Sequence, residues 1–70
     1  MMNIGNVVRR FREKAGLSIA RLAAKSETSP DYIFRIEHGI AKNIGIEKLG
    51  KIAKALEVDL ADLIKDSRAA

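Results

Sequence analysis

Cysteine is absent from the 70 residues. That excludes a disulfide framework and a thiolate metal site. Histidine occurs once, at His38. A zinc site would need carboxylates to complete it, and none stands at a helical spacing that suggests one, so no metal and no other cofactor is expected. No run approaches the ~18 consecutive apolar residues of a membrane span. The opening MMNIGNVVRRFREK lacks the long apolar core of a secretory signal, so a cytoplasmic chain with no membrane partner is expected. Repeats, low-complexity tracts and linkers are missing too, which points to a single domain over residues 1–70. Nucleophile–base pairs, phosphate-binding glycine loops and paired carboxylates are equally absent, so the chain is not expected to be an enzyme.

What is present is short and basic. A chain of this length buries only about 60% of its unfolded surface, so self-association would add core. The formal charge of +4 suits a polyanionic partner and is suggestive only.

Apolar residues recur at helical spacing almost throughout, and strand-like alternation is absent. The pattern predicts an all-α, compact domain of five helices. The first runs from about Ile4 to Ala15, with Ile4, Val8, Phe11 and Ala15 on one face, and Gly16 stops it. Ser18 caps a second through about Lys25, with Leu22 and Ala23 inward. Lys25-Ser26-Glu27-Thr28 forms a tight turn. Ser29 caps a third helix that carries Pro30 at its first position and Asp31 in its first turn, faces Ile33 and Ile36 inward and ends at Gly39. A loop over 40–45 leads to a fourth helix, about Ile46 to Leu56, with Ile46, Leu49, Ala53 and Leu56 as its buried stripe. A short fifth, about Leu60 to Lys65, buries Leu60, Leu63 and Ile64 and leaves a frayed tail over 66–70.

The ordered set of Ile4-Gly5, Val8-Arg9, Arg12, Gly16-Leu17-Ser18, Leu22-Ala23, Ile33, Ile36-Glu37, Gly39, Leu49, Ile52-Ala53, Ala55-Leu56, Val58 and Leu63 resembles the helix-turn-helix domain of phage repressors and Cro proteins. The same domain occurs in the xenobiotic-response-element regulators of bacteria. The resemblance covers about Ile4 to Ile64. It implies a lambda-repressor-like fold with the helix-turn-helix at helices two and three. In that family the second helix lies across the phosphate backbone and the third enters the major groove, which is about 12 Å wide and admits one α-helix.

Carried onto this chain, the resemblance puts Ser29, Pro30, Asp31 and Arg35 at base-reading positions, with Tyr32 and Phe34 alongside. Ser18, Ile19, His38 and the loop through Lys42 and Asn43 match phosphate-contacting positions. Arg12 and Glu37 resemble a buried ion pair that would set the angle of the third helix and leave Arg12 donors near the backbone. Arg35 is the strongest reader, since arginine forks to guanine for about 1–3 kcal/mol of discrimination; otherwise it is a solvated arginine paired with Asp31 one turn earlier. Asp31 either accepts from cytosine or simply suits the positive helix end, and it stands one turn from Arg35. Pro30 starts the helix, or touches a thymine methyl. Tyr32 either meets phosphate or sugar, or packs against helix two or four. Phe34 is a methyl contact, a half-buried packing residue or part of a partner surface that Ile19 could extend.

The chain departs from the family at several places. Ile19 and Arg21 replace a phosphate-binding glutamine and a capping glutamate. Glu27 stands where a left-handed glycine is usual, at about 1 kcal/mol if the geometry is kept. Asn43-Ile44-Gly45 replaces Asn-Pro-Ser and offers Ile44 to solvent or a partner. Two functions remain open. One is a transcriptional regulator of repressor or controller type with no effector domain, binding palindromic double-stranded DNA as a homodimer. Helix five and the end of helix four would join the two copies, with Ile40 and Ile44 contributing. The other is a protein-interaction module, an antitoxin or adaptor, with a protein partner.

Overall fold

The computed structural model describes residues 4–41 and 43–69, and side chains through 67. Its five helices are α1 (Ile4–Lys14), α2 (Ile19–Lys25), α3 (Pro30–Glu37), α4 (Ile46–Ala55) and α5 (Leu60–Ala69). No strand occurs among the described residues.

Local chemistry sets the helix boundaries. The Ser18 and Ser29 hydroxyls accept from the N–H groups of Arg21 and Tyr32, each at 3.1 Å, and so cap α2 and α3. Pro30 opens α3, where its fixed φ is already helical. The first four helices all end in one way. The residue two beyond the cap donates back to the third-last helical carbonyl, as Thr28 does to Ala23 at 2.8 Å, Ile40 to Arg35 at 2.8 Å and Val58 to Ala53 at 3.0 Å. This closure needs a left-handed residue in between. Gly16 and Gly39 supply it in two cases, and Glu27 (φ 59°) and Glu57 (φ 60°) in the other two.

The core gathers Val7, Val8, Leu22, Ala23, Ile33, Ile36, Leu49, Ile52, Ala53, Ala55, Leu56 and Leu63. Helix α1 packs on α3 and α5, α2 on α3 and α4, and α4 on α5. Gly5 marks the closest approach: a Cβ there would lie 2.3 Å from the Ile36 carbonyl oxygen.

Several expectations need correction. Leu63 alone of the three residues expected inside α5 is buried, with Leu60 and Ile64 half-buried, and Ile52, outside the expected α4 stripe, is fully buried. Val7 joins Val8 as the buried pair of α1, while Ala15 is exposed beyond the helix end. Ile46 is 66% exposed; it shares the stripe of Leu49 but opens α4 beyond the edge of the core. Of the tail expected to fray over 66–70, residue 70 lies outside the described residues, and residues 66–69 continue α5. Ser67 is fully buried there, because its hydroxyl donates to the Leu63 carbonyl at 2.7 Å and needs no water.

Candidate nucleic-acid interface

The α2–α3 turn is rigid. The Ser26 hydroxyl is buried and donates to the Leu22 carbonyl at 2.7 Å, and it lies 2.9 Å from the Thr28 hydroxyl. Glu27, left-handed and outward, meets the Lys51 ammonium of α4 at 3.1 Å. These bonds hold the start of α3 in one direction relative to α2.

A second fastening holds the far end of α3. Arg12 donates from Nε to Glu37 Oε2 at 2.7 Å and from its second terminal nitrogen to Oε1 at 3.0 Å. Its remaining terminal nitrogen donates to the Leu17 carbonyl at 2.8 Å. One guanidinium therefore ties α1, the lead into α2 and the last residue of α3. The hydrogen bonds to Glu37 raise the Arg12 pKa above the ordinary arginine value, against a smaller opposing effect of burial. The side chains are only 12% and 1% exposed, so little of Arg12 is left to reach a phosphate. Leu17 as third partner carries no signal in the sequence, because a backbone carbonyl is common to every residue.

Between these fastenings α3 exposes Ser29, Pro30, Asp31, Phe34, Arg35 and His38. Arg35 Nε donates to Asp31 Oδ2 at 2.8 Å, with both side chains more than half exposed. The pair holds the guanidinium along the helix surface with donors to spare. The Phe34 and His38 rings stack at 3.9 Å between centroids and 20° between planes. His38 Nδ1 lies 2.9 Å from the Phe34 carbonyl. A carbonyl only accepts, so this nitrogen carries a proton, and Nε2 faces outward.

Tyr32 is drawn off this face. It is half-buried against the core, and the Lys48 ammonium of α4 stands 5.5 Å from its ring centroid, a cation–π contact that no local spacing announces. Ser18 is exposed at the start of α2; its hydroxyl accepts the cap bond and keeps its own hydrogen to donate. Asn43 is exposed in the α3–α4 loop, and Lys42 lies outside the described residues. Ile19 and Ile44 are partly buried against the core, which reduces the apolar surface either one offers.

A family model for the helix-turn-helix matches residues 8–63. The chain is 38% identical over 60 residues to the HTH-type transcriptional regulator SlrR of Bacillus subtilis, covering 86% of this chain and 40% of that protein. It thus spans less than half the length of that relative. Among solved structures, SinR, the master regulator for biofilm formation, in complex with DNA, superposes with a TM-score of 0.82 at 30% identity, over 86% of this chain and 95% of that one. The restriction-modification controller protein C.AhdI of Aeromonas hydrophila superposes at 0.83 with 29% identity, over 89% and 92%. Five helices in this order, a capped and hydrogen-bonded turn between α2 and α3, and a family match over most of the chain agree: the chain belongs to the Cro/C1-type helix-turn-helix family.

Proposed function

We propose that the chain is a sequence-specific DNA-binding transcriptional regulator that acts as a homodimer on a palindromic operator, with α3 in the major groove. The observation that carries this reading is the outer face of α3. It presents Arg35, pre-oriented by Asp31, on a helix fastened at both ends. Ordering cost is therefore largely met before binding. Arg35 reads a guanine edge, and the Ser29 hydroxyl and the Pro30 ring lie at the leading end. The Ser18 hydroxyl, the Asn43 amide and Lys42 contact phosphates. The DNA-bound state of SinR, which shares this fold, supports the reading. Two copies joined through α5 and the end of α4 would set half-sites about 34–36 Å apart. Occupancy of the operator, as repressor or controller, is the regulatory act.

The test is selection from a randomised duplex pool at two salt concentrations. An enriched palindrome is expected. With three or four phosphates contacted per subunit, the logarithmic salt slope of the dimer is about −5 to −7. Absence of enrichment, or binding indifferent to salt, refutes the reading. A second reading, a protein-interaction module, is favoured by the exposure of Phe34, Ile40 and Ile46. A stoichiometric partner that is lost in Phe34→Ala while DNA affinity is unchanged would establish it.

A further inference from the structure

The outer face of α3 carries one large apolar side chain among polar ones. The Phe34 ring is 44% exposed yet held in place, stacked on an imidazole that is itself anchored to the Phe34 carbonyl. Water meets an ordered apolar plate one turn beyond Asp31 and beside Arg35. With Ile19 and Ile44 partly buried against the core, Phe34 is the one large apolar side chain that α3 leaves exposed. Ile40 and Ile46, also exposed, lie past the end of α3 and at the start of α4. One ring falls well short of the few hundred Å² that mark a protein-binding patch. It does match a single methyl group. The major groove displays one such group, the C5 methyl of thymine.

We propose that Phe34, braced by His38, reads the C5 methyl of a thymine in the base step next to the guanine held by Arg35. This rests on the reading of α3 as the groove helix. Consecutive helical positions project about 100° apart, so the ring and the guanidinium diverge and cannot both lie over one base edge, and a neighbouring base pair is the assignment that keeps both in the groove. The couplet Phe34–Arg35 then specifies thymine by shape and guanine by hydrogen bonds. His38 is a positioning residue in this scheme, because it fixes the ring without touching the base.

The experiment starts from the duplex that the 70-residue chain selects from a random pool. Each thymine of one half-site is replaced singly by deoxyuridine, which lacks only the methyl. Affinity is read by fluorescence anisotropy for the unaltered chain, Phe34→Ala and Phe34→Leu, with circular dichroism confirming that the variants stay helical. One thymine adjacent to a guanine is expected to respond, with binding weakened about three- to fivefold, as loss of one buried methyl predicts. Phe34→Ala should bind the thymine and uracil duplexes equally, and Phe34→Leu should keep part of the difference. Replacing the adjacent guanine by 7-deazaguanine should weaken the unaltered chain and not Arg35→Ala. A flat uracil scan, or a sensitive thymine that stays sensitive in Phe34→Ala, overturns the methyl assignment, leaves the groove reading intact and turns the ring over to a protein partner. If no duplex is enriched at all, the groove reading fails and takes this inference with it.

Discussion

The same substitution, glycine to alanine, is expected to act in opposite directions at two helical sites. At Gly5 the added Cβ would lie 2.3 Å from the Ile36 carbonyl oxygen and 3.1 Å from that of Glu37. Real Cβ contacts essentially never fall under 3.0 Å, so α1 and α3 must separate by at least 0.7 Å (3.0 − 2.3) along that line. Both sides of the contact are backbone, and no rotamer change relieves it. Overpacking of this kind costs about 1–3 kcal/mol. Alanine returns at most about 1 kcal/mol of helix propensity, less in a first turn. The net loss is then about 1–2 kcal/mol. The separation also falls on the helices joined by Arg12 and Glu37, so DNA binding should weaken with stability. At Gly50, inside α4, a Cβ meets nothing within 4 Å, and alanine should stabilise by about 0.5–1 kcal/mol. Thermal unfolding followed by circular dichroism resolves both, since 1 kcal/mol moves the Tm of a domain this small by about 4–8 °C. Equal or raised stability in Gly5→Ala, or a shift of the same sign at both sites, would refute the close-approach argument.

Other substitutions probe different parts of the design. Glu57→Gly should stabilise by up to about 1 kcal/mol through relief of left-handed strain, and Glu27→Gly by less, because it gives up the exposed Lys51 pair; urea midpoints rank the two. Glu37→Ala strands the Arg12 charge, so a loss of about 3–5 kcal/mol is expected, a large share of the total stability of a 70-residue domain, and far-UV circular dichroism at 25 °C would show partial unfolding. Arg35→Ala should leave the Tm nearly unchanged, since an exposed i,i+4 pair contributes about 0.3–0.5 kcal/mol. It should cost about 1–3 kcal/mol of binding at one guanine, read by anisotropy on duplexes altered at that base.

The sequence by itself determined the helices. Serine caps at Ser18 and Ser29, proline at the opening of α3 and glycine after α1 and α3 act within a few residues, and so does the spacing of Leu22, Ile33, Ile36, Leu49 and Leu63. Local rules therefore suffice to order five helices and to place the turn. The tertiary structure decided what each side chain is available to do. Arg12 and Glu37 are 25 residues apart, and only packing of α1 against α3 turns a surface arginine into a buried three-way tie. Tyr32 and Phe34 are both aromatic neighbours of the reading positions in the sequence, yet α4 brings Lys48 over one while the other stays stacked on its own helix. Ile46 fits the α4 stripe by periodicity but lies past the edge of the core, and Ser67, in the tail expected to fray, is fully buried. Periodicity registers which way a residue points along its own axis. It carries no record of how far a neighbouring element extends, and that distance separates a packed side chain from one left to meet a partner.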